Sequence, residues 1–276
     1  MNDLRRTPGT LATVLESARQ TLLLSCRDRF WWVVGIGLLV LPALAYVLAG
    51  RASERIDGRS LYCVLAWWLL GTVVVPWLTL YLGVQSVHGR IEDRTFQYWF
   101  LRPVGRGALL VGTWLAVVAM ASAAAVLGVV ASFAAVAAHG ELWPDGVDWR
   151  LAWVFCSVLV AGTVAYGAVA ALLATWFRRP LVWAAVFVVG LQMLAANLPV
   201  SAGLRRLTIT DPLRRMMLDS IEPDGRLAQR LWPAEREFRS ELIEHPLRDL
   251  AVLVAVALAL AVWAYGRTEY DSRERE

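Results

Sequence analysis

The chain has 276 residues, 58% of them apolar and 18% charged, with a formal net charge of +4; ordinary soluble domains carry roughly 25% charged residues. Six stretches, 31–49, 61–87, 108–138, 151–177, 181–204 and 250–266, hold no charged residue at all, which excludes a soluble globule and a disordered chain. All 27 basic residues are arginine, so the chain has no lysine for a phosphate-binding P-loop or for Schiff-base chemistry.

In chain order, residues 10–24 come first. Leu11, Val14, Leu15, Ala18 and Leu22 recur at helical spacing behind Thr10, a residue suited to an N-cap. They predict an amphipathic helix lying in the membrane interface. The stretch 31–49 is the first expected span. Its Ala43-Leu44-Ala45 resembles a signal-peptidase site. However, the polar region ahead of it is long and the apolar run continues through Leu48, so an uncleaved span is the expectation.

The stretches 61–87, 108–138, 151–177 and 181–204 each exceed the roughly 20 helical residues that cross a bilayer. The stretch 250–266 is shorter and lengthens if Leu247 joins it and Arg248 snorkels. None shows the period-2 alternation of a membrane barrel. Trp31, Trp32, Trp149, Trp153, Trp176, Trp183 and Trp263 stand near the ends of these stretches, where aromatic rings favour the membrane interfaces. The predicted fold is therefore an all-α integral membrane protein with six transmembrane helices, forming a single domain over 1–276.

Six spans put both termini on one side. With that side cytoplasmic, the inside segments carry 14 Arg and the two short outside loops carry 4, as the positive-inside rule requires. The connection 205–249 holds nine Arg and nine acidic residues, and long translocated segments follow that rule poorly. It is expected outside the cytoplasm. Asp211-Pro212 predicts an N-cap and first helical position, and Leu213, Met216, Met217 and Ile221 line one face. Pro223-Asp224-Gly225 predicts a turn, followed by a second helical piece. Both helices are expected to rest on the outer membrane face.

No catalytic constellation is apparent. Cys26, Cys63 and Cys156 are too scattered for a zinc site, and His88, His139 and His245 each stand alone. The spans hold no Asp, Glu, Arg or His, the groups that bind coupling ions in secondary transporters and proton pumps. Gln85, Gln192 and Asn197 read as interhelical hydrogen-bond partners. Ala124, Gly128 and Ser132 form a small-residue stripe for close helix packing. Any energy for uphill transport is expected on another subunit.

The loop 88–107 is the most informative segment. Ile91, Thr95 and Trp99 fall on one helical line with Phe96 and Phe100 beside it. Glu92 and Asp93 stand near the N-terminal end, Arg102 near the C-terminal end, and Pro103 stops the helix. Aromatic knobs between charged ends suit docking into a groove on a partner. Glu92, Thr95, Phe96, Trp99, Phe100, Arg102, Pro103, Val104 and Arg106 fall where permease subunits of ABC-2-type ABC transporters carry acidic-acidic-x-Gly-Thr-Leu-x-x-Leu-Leu-x-Arg-Pro-Val-x-Arg. The loop thus resembles the cytoplasmic coupling loop of that family, with Arg94 in place of its glycine and Trp99 and Phe100 in place of its leucines.

The resemblance implies a bacterial inner-membrane permease subunit, not itself an enzyme and commonly an exporter. It implies pairing with a second permease copy, as a homodimer or heterodimer, and docking on a separate ATP-binding subunit. ATP and magnesium would belong to that subunit, with no cofactor on this chain. Glu92, Thr95, Phe96, Trp99, Phe100, Arg102, Pro103 and Arg106 would form the contact. The bilayer is the other partner, and no nucleic acid is expected. The alternative is an ATP-independent membrane scaffold or assembly factor of the same architecture. An intramembrane enzyme lacks its expected polar cluster.

Overall fold

The computed structural model describes residues 10–25, 30–51, 57–92, 105–144, 146–195, 208–221 and 245–267. Among them every regular element is a helix. Helix α1 spans Thr10–Ser25 and α2 spans Phe30–Gly50. Helix α3, Gly58–Leu65, passes through a π-helical stretch, Ala66–Val74, into α4, Val75–Glu92. Helix α5 spans Arg106–Ala137 and α6 spans Trp149–Trp176. Helix α7, Pro180–Val186, continues as a second π-helical stretch, Phe187–Ala195. Helices α8, Thr210–Ile221, and α9, Pro246–Arg267, complete the order.

Five helices are long and apolar enough to cross a membrane: Phe30–Gly50, Gly58–Val87, Arg106–Ala137, Trp149–Trp176 and Pro246–Arg267. They coincide with five of the six uncharged stretches, and they make this a multi-pass membrane protein. Their ends follow local chemistry. Asp148 caps α6 by accepting the Arg150 N–H at 3.0 Å. Helix α6 stops before Arg178-Arg179, and Pro180 opens α7 at a position that needs no N–H. The first π-helical stretch ends just ahead of Pro76, which has no N–H for the carbonyl of Thr72 and so favours a locally widened turn.

Helices α4, α5, α6 and α9 pack around a shared core. The ring of Tyr62 meets those of Phe133 and Phe155 edge-on at 5.0 and 5.3 Å. Small residues set the closest approaches. A Cβ on Gly83 of α4 would collide with the Cβ of Ala170 on α6. The stripe Ala124, Gly128 and Ser132 is buried within the chain. A Cβ on Gly128 would lie 3.1 Å from Leu70 and 3.4 Å from Leu38, so this stripe packs α5 against α2 and the first π-helical stretch.

Helix α1 covers the residues over which a helix is predicted, but its packing face is not its leucine face. Thr13, Ser17 and Thr21 are buried, whereas Leu11 and Leu15 are 80% and 68% exposed. The Ser17 hydroxyl donates to the Leu109 carbonyl of α5 at 3.0 Å. A Cβ on Gly112 would strike the backbone carbonyl of Val14. Close approach through small residues drives helix association in lipid, where leucine gains nothing by leaving the acyl chains.

Candidate functional site

The loop 88–107 is bracketed by described helices. Helix α4 runs to Glu92, and α5 begins at Arg106. Thr95, Phe96, Trp99, Phe100, Arg102 and Pro103 lie outside the described residues. Helices α4 and α5 run antiparallel, with Val117 within 3.8 Å of where a Cβ on Gly83 would be. From that contact, Glu92 and Arg106 lie at similar distances along their helices, so the loop leaves and returns at one end of the bundle. Arg106 is exposed there and donates to the Gly266 carbonyl at the C-terminal end of α9 at 3.4 Å. Helix α1 is clamped to α5 within two turns of Arg106.

A second polar arrangement lies in the bundle interior. Helix α8 was expected on the outer membrane face. Instead Thr208, Ile209, Thr210, Asp211, Leu213, Arg214 and Met217 are all buried. Leu213 sits 3.1 Å from where a Cβ on Gly162 would be, and Gly162 is midway along α6. Helix α8 therefore starts level with the middle of α6. Its other end reaches the start of α3, where the Arg59 guanidinium donates to the Ile221 carbonyl at 2.6 Å.

Helix α7 approaches the same level from the opposite end of α6. Its π-helical continuation carries Gln192, which is 2% exposed. The Gln192 Oε1 accepts the backbone N–H groups of Ile209 and Thr210, both at 3.1 Å, and the Thr210 hydroxyl at 2.7 Å. The Tyr166 hydroxyl of α6 lies 3.4 Å from both Gln192 Oε1 and the Thr210 hydroxyl. Helix N-termini leave backbone N–H groups without intrahelical partners, and at this depth no bulk water is at hand to take them. The Gln192 carboxamide takes that role. The Asp211 N–H donates to the Thr208 hydroxyl at 3.4 Å. The expected Asp211 cap is thus replaced by Thr208 and Gln192, and α8 begins at Thr210, two residues early.

Charge enters the interior on α8. Asp211 pairs with Arg215 at 3.4 Å, one turn on. The Arg214 guanidinium lies 5.6 Å from the ring centroid of Trp67, a residue of the first π-helical stretch. Both π-helical stretches therefore contact α8, through Trp67 and Gln192. Sequence reading missed this cluster because Asp211, Arg214 and Arg215 sit outside the uncharged stretches and resemble a solvated surface.

Gln192 is a hydrogen-bond partner as expected, although it serves α8. Gln85 is exposed on α4, and Asn197 lies outside the described residues. The Ser122 and Thr163 hydroxyls join α5 to α6 at 2.7 Å. Among the described residues no group of three or more His, Cys, Asp or Glu is placed to hold a metal ion. Compared with known protein families and with curated proteins, the chain matches none.

Proposed function

We propose that this chain is the membrane-spanning permease subunit of an ATP-binding-cassette exporter of the ABC-2 type, working in the bacterial inner membrane with both termini cytoplasmic. The observation that carries the reading is the loop pattern from Glu92 to Arg106. Helices α4 and α5 present that loop at the end of the bundle where α1 is clamped. A partner ATPase gripping the loop would push on α5 directly and on α1 through the Ser17–Leu109 bond.

Six crossings follow if α7 and α8 together make the fifth, meeting at Gln192 and Thr210. Discontinuous helices at mid-depth recur where membrane transporters open and close a pathway. A second copy of the permease completes the pathway, and the nucleotide and its magnesium belong to the ATPase.

Affinity purification tests this reading. The full chain, co-expressed with an ATP-binding-cassette subunit encoded beside it, retains that subunit. The triple substitution Glu92→Gln, Arg102→Ala and Arg106→Ala releases it. Failure of the unaltered chain to retain the subunit counts against the proposal.

A further inference from the structure

Arginine and tryptophan converge at one end of α6, α7 and α9. The Trp176 ring, at the end of α6, lies 6.3 Å from that of Trp263 on α9. The Arg267 guanidinium stacks over the Trp263 ring, 4.3 Å from its centroid. Arg106 reaches the carbonyl of Gly266 beside it. Arg178 and Arg179 follow Trp176 by two and three residues and are exposed. Phe177 and Trp183 stack at 4.6 Å across that turn.

Among the described residues the charge at this end is mostly basic. Asp57, Glu141, Asp148 and Asp249 stand at the starts of α3, α6 and α9 or in the connection before α6, at the opposite end. Glu16 of α1 is engaged by Arg19 and Gln20, and Glu92 closes α4. Arg178, Arg179 and Arg267 make no ion pair with a described residue. Trp176 and Trp263 are about half exposed, at 54% and 50%. On the same two helices, Val182 and Val186 of α7 and Val256 and Leu260 of α9 are exposed apolar side chains.

We propose that this Trp–Arg surface is a binding site for the headgroup of an anionic phospholipid. Guanidinium forks match phosphate oxygens. Indole rings favour the headgroup level of a bilayer, and basic surfaces between membrane helices bind acidic headgroups. The exposed valines and Leu260 supply a track for the acyl chains, which a free phosphate would not use. The site requires only that the chain lies in a bilayer, so it stands independently of the permease reading.

Native mass spectrometry of the purified full chain, incubated with phosphatidylglycerol or phosphatidylcholine, tests it. The chain retains phosphatidylglycerol at least about tenfold better than phosphatidylcholine. The variant R178Q/R179Q/R267Q loses that preference and retains the two lipids about equally. The variant R51Q/R150Q, altered at the opposite end, keeps it and controls for charge and folding. Equal retention of the two lipids overturns the assignment, as does an unchanged preference in the triple variant. Displacement of the lipid by millimolar inorganic phosphate identifies a phosphate site instead and also overturns it.

Discussion

The Gln192 carboxamide oxygen accepts both the backbone N–H and the hydroxyl of Thr210, at 3.1 and 2.7 Å. It thereby ties the π-helical end of α7 to the first residue of α8. One side chain thus joins the two helices inside the bundle. With the Arg59 bond to Ile221 at the far end, α8 is held at both termini by side chains from other helices.

Gln192→Leu keeps the side-chain bulk and removes the acceptor, leaving the Ile209 and Thr210 N–H groups buried without it. Such a loss costs about 1–3 kcal/mol. Thermal unfolding in detergent should show a clear drop in Tm. Gln85→Leu, at an exposed position on α4, should leave Tm unchanged. Equal Tm for Gln192→Leu and the unaltered protein would remove the latch role.

Gly83 and Ala170 form a reciprocal pair. Gly83→Ala forces two methyl groups into one space, an overpacking that typically costs 1–3 kcal/mol. Adding Ala170→Gly should restore most of the lost stability, less about 1 kcal/mol for a glycine inside a helix. A double-mutant cycle on Tm or detergent resistance reads the coupling. Strict additivity would show that these helices do not meet there.

Gly112→Ala places a methyl group against the Val14 carbonyl, which as backbone has little room to yield. Helix α1 should detach, and limited proteolysis within 10–25 should become markedly faster. Gly37→Ala meets nothing within 4 Å and should behave as the unaltered protein.

The five long spans were legible because they are uncharged, long and bounded by tryptophan or arginine. Helix α1 was legible in position and not in orientation. Periodicity picks out Leu11 and Leu15, yet in a membrane setting the contact to a neighbouring helix goes through Thr13, Ser17 and Gly112. The interior polar site was hidden for a related reason. A hydropathy reading assigns Asp211 and Arg214 to water, whereas Trp67, Gln192 and Thr208 give α8 polar and aromatic neighbours inside the bundle. Of the expected coupling residues, Glu92 and Arg106 lie at one end of the bundle, and those between 95 and 103 fall outside the described residues.

Topology reporters at residues 95 and 225 should lie on opposite faces of the membrane, with 95 cytoplasmic. If α7 and α8 do not together complete a crossing, both reporters will be cytoplasmic.

The coupling claim is tested most directly by ATP hydrolysis in proteoliposomes that hold this chain and its partner ATP-binding subunit. The chain should change the ATPase rate, and Arg102→Ala with Arg106→Ala should weaken this coupling about tenfold, as loss of an arginine anchor at an interface typically does. An ATPase rate indifferent to the chain and to both substitutions would contradict it.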